Sequence, residues 1–191
     1  MYRIGAAALE MGAAAVILLP MLLVINAVYW HDLRKTAGYF MFACYLAAVC
    51  ALVGLPGIGN FHWELNLNIL PFAGMAADVK NAALNVLLFV PLGLLAPLLW
   101  PDLRRLKHMA LLALAFSGLI EILQIFTFRA SDINDLITNT LGAVIGFGLA
   151  RLLPWRADSQ LRELWLLAGL VLAVMMFLQP PLVGLLWQAV L

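Results

Sequence analysis

The chain has 191 residues, 65% of them hydrophobic and 11% charged, with a formal charge of +1 and a mean hydropathy of +1.03. A soluble domain averages about 45–50% apolar and about 25% charged residues, and one this small has too little interior to hide so much apolar surface. The composition excludes a soluble two-layer enzyme, a disulfide-stapled secreted domain and a disordered segment, and its balanced charge gives no reason to expect a nucleic-acid partner.

A bilayer-spanning helix needs about 20 mostly apolar residues. Five segments reach that standard, at roughly 7–29, 37–55, 82–100, 109–128 and 136–153. A sixth, 164–178, is shorter and is expected to stop at Pro180 and Pro181, with an apolar tail beyond it. The expected fold class is therefore all-α, a polytopic transmembrane helix bundle of about six spans forming a single domain over 1–191. The apolar stretch 11–29 is too long for a signal peptide and reads as a retained anchor. Cys44 and Cys50, six apart in one apolar run, would point in different directions on a helix and read as inert buried thiols. Pro91 and Pro97 predict a bend in the third helix.

The segment 61–77 is too polar and broken for an ordinary span, because it contains Glu64, Asn66, Asn68, Pro71 and Gly74. It reads as interfacial or re-entrant, with Trp63 and Phe72 at headgroup depth. If it does not cross, one side of the membrane receives Arg34, Lys35, Arg104, Arg105, Lys107, Arg151, Arg156 and Arg162. The other side receives only Arg3, Lys80 and Arg129. By the positive-inside rule the first set is cytoplasmic, so both termini and the loops at Lys80 and Arg129 are expected outside. The basic clusters set topology and meet anionic lipid. His31 and His108 fall among them, and His62 reads as solvated or interfacial on the outer side. The tryptophans, including Trp30, Trp100 and Trp155, sit near helix ends as an aromatic belt requires.

Charged groups inside a membrane are costly, about 2.5–3.5 kcal/mol each at mid-bilayer on insertion scales, so their positions are a guide to function. Glu121 and Gln124 share one face of the fourth helix. Arg129, Asp132, Asp135 and Asn139 follow at spacings of 3, 3 and 4, and Gly142 and Gly146 continue the row. If helical throughout, these residues form one stripe, polar at its outer end and small below. Lys80, Asn81 and Asn85 add a matching set on the third helix. All converge on the outward end of three consecutive helices, as one polar pocket.

Simpler roles compete for single members. Asp132 suits a helix N-cap, Arg129 would pair with an aspartate across a turn, and Gly142 with Gly146 reads as close helix packing. The sequence has no zinc-type His pair, no Gly-rich phosphate loop and no nucleophile elbow. It names no cofactor.

The run Asn66-Leu67-Asn68-Ile69-Leu70-Pro71-Phe72, the stretch from Asn81 to Pro97, and the set Glu121, Gln124, Arg129, Asp132, Asp135, Asn139, Gly142 and Gly146 together resemble the VanZ-like membrane proteins over about residues 60–150. The resemblance implies a multi-pass protein of the bacterial cytoplasmic membrane, in a family named for a member linked to resistance against the lipoglycopeptide teicoplanin. It implies shared pocket residues at Asn81, Asn85, Glu121, Gln124, Arg129, Asp132, Asp135 and Asn139, and it supplies no established reaction.

Two functions fit. In the first, the pocket binds or modifies an amphiphilic envelope lipid or lipoglycopeptide, with Lys80 and Arg129 on an anionic headgroup and Asn81, Asn85, Gln124 and Asn139 as further binding groups. In the second, the protein is an intramembrane hydrolase or transferase acting on a lipid-linked phosphate or sugar. Glu121 would then be the general base, Asp132 and Asp135 an acid/base pair or oxygen ligands for a divalent cation, and Arg129 would meet developing phosphate charge. A purely structural role ranks last, because interhelical polar contacts in membranes average only about 0.6 kcal/mol.

Overall fold

The computed structural model describes residues 2–54, 67–72, 78–126, 131–154 and 157–190. Six helices are long and apolar enough to cross a membrane: Gly5–Trp30, Leu33–Val53, Val79–Leu99, Leu106–Gln124, Ile133–Ala150 and Leu161–Leu186. The chain is a multi-pass helical membrane protein, as its composition predicts. Two compact units divide it, one of residues Met1–Phe61 with Leu161–Leu191, the other His62–Gln160.

In the first unit, α1 (Tyr2–Ile25) runs into a π-helical turn, Asn26–Trp30. His31 then reverses the chain with φ 51°, and its N–H donates to the Asn26 carbonyl at 2.8 Å. Asp32 caps α2 (Leu33–Val53) by accepting from the Arg34 and Lys35 amides, while its own N–H donates to Asn26 Oδ1 at 2.8 Å. The unit ends with α6 (Leu161–Ala173), a second π turn (Val174–Leu178) and α7 (Gln179–Val190). The start of α2 is tied to α6 by a salt bridge of 2.8 Å from Lys35 Nζ to Glu163, whose second oxygen accepts from the Tyr39 hydroxyl at 2.6 Å.

The last helix departs from expectation. Pro180 and Pro181 do not end it, and the described chain stays helical to Val190. Proline has no N–H to give and its ring crowds the carbonyl four residues back. Here the wider π turn lies directly before both prolines, where it loosens the backbone they would otherwise clash with.

In the second unit, α3 (Val79–Leu99) stays one continuous helix through Pro91 and Pro97. A 3₁₀ turn (Pro101–Arg104) leads to α4 (Leu106–Gln124), and α5 (Ile133–Ala150) follows. Two-residue strands, β1 (Leu67–Asn68) and β2 (Ser131–Asp132), pair in parallel with Asn68 opposite Asp132. Trp100 stands at a helix end as predicted, but it is fully buried and serves the core instead of an aromatic belt.

Small residues set the packing of α3 on α5. A methyl group on Gly142 would overlap the Val86 carbonyl, one on Gly146 the Val90 carbonyl, and one on Gly93 the Ala143 carbonyl. From Val86–Gly142 to Val90–Gly146 the contacts advance four residues on both helices, so α3 and α5 run parallel with their backbones touching. Lipid offers no hydrophobic drive between helices, and close backbone approach at small residues supplies dispersion contact in its place. Gly142 and Gly146 therefore have the packing role that their spacing predicts. Gly142→Ala or Gly146→Ala should destabilise the protein by at least the about 1–3 kcal/mol of ordinary overpacking, read as a sharply lowered melting temperature in detergent. Gly148→Ala, with open space around it, should leave the temperature unchanged.

Candidate functional site

The parallel packing brings the N-terminal ends of α3 and α5 together with the C-terminal end of α4. Each of the two parallel helices opens on an aspartate cap. Asp78 accepts from the Asn81 amide at 3.1 Å, and Asp132 accepts from the Asn134 amide at 2.8 Å. Asp132 thus fills the N-cap role that its position before the helix predicts, while its carboxylate also faces the site.

Glu121 lies near the end of α4, 9% exposed. Its Oε2 accepts from the Asp132 amide at 2.8 Å, and the Ser131 side chain also hydrogen-bonds it. The second Asp132 oxygen accepts from Asn68 Nδ2 at 3.1 Å. Asn134, buried at the start of α5, accepts from the Phe72 amide at 2.6 Å, and Asn68 Oδ1 accepts from the Leu70 amide at 3.4 Å. The segment 67–72 is so bound to the helix ends, with Phe72 at φ 64°, an outlier for a bulky residue. Ile69, Leu70 and Phe72 are all exposed, which gives the polar cluster an apolar rim.

Much of this network satisfies backbone. The amides of Leu70, Phe72 and Asp132 lie outside regular helix and that of Asn134 is in the first turn of α5, where no intrahelical carbonyl serves it; an unsatisfied backbone group in hydrocarbon costs several kcal/mol. Side chains of Asn68, Asn134, Glu121 and Asp132 take these four.

Deeper in the membrane, Asn139 Nδ2 donates to the fully buried Ser117 hydroxyl at 2.9 Å. Among the described residues, Asn139 Oδ1 and Asn85 Nδ2 are buried without a hydrogen-bond partner. Both asparagines lie within one turn of the Val86–Gly142 contact, on helices whose backbones touch. An open acceptor and an open donor therefore sit at the same level, beneath the carboxylates.

The remaining candidates distribute as follows. Gln124 is buried at the end of α4. Asp135 is half-buried in the first turn of α5, within electrostatic range of Glu121, as is Asp132. Lys80 and Asn81 are exposed on the first turn of α3. Arg129 lies outside the described residues, as do His62, Trp63, Glu64, Asn66, Gly74, Trp155 and Arg156. Among the described residues, no three His, Cys, Asp or Glu side chains gather as a metal-ligand set.

The single helical stripe from Glu121 to Asn139 is not formed. The α4 helix ends at Gln124, Asp132 is in extended backbone, and α5 begins at Ile133. The members meet instead because α4 and α5 pack side by side and β2 returns to the end of α4.

The VanZ/LLP1 family model matches residues 40–154. The chain belongs to this family. Protein VanZ of Enterococcus faecium is 33% identical over 116 residues, which cover 57% of this chain and 70% of that protein. No solved structure matches. The family match takes in every element of the polar cluster, from β1 to α5.

Spacing does not single out Asn134 and Ser131, which fall to the side of the stripe extrapolated from Glu121; Ser117 lies on that face, one turn before Glu121, but a lone serine in an apolar helix carries no signal of its own. A signal for Asn134 is present: it lies two residues after a predicted cap, where side chains serve irregular backbone. Asn134→Ala should remove the Phe72 anchor while leaving the Asp132 cap in place. Amide exchange in the peptide covering 67–72 should rise by an order of magnitude or more, given about 1–3 kcal/mol for an orphaned buried group, with α3 and α5 unchanged.

Proposed function

We propose that this VanZ-family protein binds an amphiphilic envelope lipid or lipoglycopeptide at the polar end of α3, α4 and α5. The observation behind this reading is the pairing of an apolar rim, Ile69, Leu70 and Phe72, with an open donor and acceptor on Asn85 and Asn139. An amphiphile needs both kinds of contact, and ligand sites are mostly apolar with a few placed polar groups. Lys80, exposed on the first turn of α3, is suited to an anionic headgroup. The positive-inside bias supports an outward orientation for this end, with both termini outside the cytoplasmic membrane. The family resemblance extends the reading to teicoplanin, whose lipid tail would share the membrane with the site.

Binding is favoured over turnover by what the carboxylates do. Glu121 and Asp132 accept hydrogen bonds from backbone amides and from Asn68, which commits them to holding the site's shape. An intramembrane hydrolase or transferase would need one of them free to move a proton.

Expression in a susceptible bacterium should raise resistance to teicoplanin much more than to vancomycin; equal shifts would count against recognition of a lipid-anchored molecule. Purified wild-type and Asn85→Leu protein should be incubated with bacterial lipid extract and followed by mass spectrometry. A lipid that co-purifies unchanged with wild type and is lost from Asn85→Leu is the expected result. A species consumed by wild type but not by Glu121→Gln or Asp132→Asn would replace binding with catalysis.

A further inference from the structure

The opposite end of the second unit holds a separate feature. A cavity of about 110 Å³ opens among Pro97, Arg104, Phe147, Ala150 and Arg151. A water needs only about 10–15 Å³ by this kind of measure, so the space admits a group of several heavy atoms. It lies where the spans of α3 and α5 finish, which is headgroup depth.

Both arginines are held in place by the fold. The Pro97 carbonyl would ordinarily bond the amide four residues on, but that residue is Pro101, which has none. Arg104 Nε donates to it instead at 3.2 Å, and Nη2 donates to the Ala157 carbonyl at 2.6 Å. The next two carbonyls of α3, Leu98 and Leu99, accept from the amides of Ala157 and Ser159 at 2.7 and 3.1 Å. Arg151 rests its guanidinium 5.4 Å from the centre of the Phe147 ring. Among the described residues, neither arginine has a carboxylate partner.

We propose that this cavity binds a monoanionic phosphate group, as the headgroup of an anionic phospholipid presents it. Two guanidinium charges face the cavity. The last carbonyls of α3 and α5 already accept hydrogen bonds, so the cavity is left cationic and suits an anion such as a phosphodiester. Arg104 keeps N–H groups beyond the two in use, and planar guanidinium forks suit phosphate oxygens. The cavity makes this a discrete site, distinct from the general attraction of basic loops to anionic membranes.

The full-length protein in detergent should be titrated with phosphatidylglycerol, phosphatidylcholine and inorganic phosphate, with retention read by native mass spectrometry and stability by thermal shift. Phosphatidylglycerol should be retained and phosphatidylcholine not. Arg151→Gln, at an exposed position outside the α3 cap, should weaken retention about fivefold or more with an unchanged melting temperature. Lys107→Gln, at an exposed basic position outside the cavity, should bind as wild type does. A stabilising response to inorganic phosphate that Arg151→Gln abolishes would support the site and assign it to a soluble phosphate. Equal losses for Arg151→Gln and Lys107→Gln, equal retention of both lipids, or no response to any probe would overturn it.

Discussion

The contact of α3 with α5 at Gly93, Gly142 and Gly146 governs the second unit. Backbone against backbone leaves no tolerance in register, so the two helices can lie together in one way only. Their parallel direction follows, and with it the placing of both aspartate caps at one end and of Pro97 and Ala150 beside one cavity at the other. The β1–β2 pairing is the same alignment carried beyond the helices, since each strand precedes one of the two. Remove the glycines and the polar cluster has no reason to assemble.

A second constraint comes from the medium. Outside regular helix, every backbone amide and carbonyl in the membrane needs a partner, and this chain supplies them from side chains. Asn26 serves Asp32, Glu121 serves Asp132, Asn134 serves Phe72 and Arg104 serves Pro97. Each of these polar residues looks costly in the sequence, and each is placed where a helix stops or a proline removes a donor. Asn85 Nδ2 and Asn139 Oδ1 stand outside this accounting, which is why the proposed binding reading rests on them and not on the carboxylates.

The spans were legible because 20 apolar residues in a row have one physical solution in lipid. The family was legible from the ordered set Asn81, Asn85, Glu121, Gln124, Asp132, Asp135 and Asn139, whose spacing survives although the single helix imagined through it does not. Pairing was not legible. Nothing in the spacing of Asn68 and Asp132 says that they face each other, because their adjacency depends on helices that pack far apart in sequence. The same holds for Glu163, whose partners Lys35 and Tyr39 are more than a hundred residues away. The proline pair at 180 and 181 misled for a different reason: proline ends an α-helix, and the rule takes no account of a π turn ahead of it.

That π turn has an effect on how the protein meets its surroundings. A π-helical turn is an α-helix with one surplus residue, and each residue advances an α-helix by about 100°. Everything from Gln179 onward is therefore rotated by about that angle from where Leu161–Ala173 would have carried it. The one rod thus turns one flank to the acyl chains of the first leaflet and a different flank to those of the second.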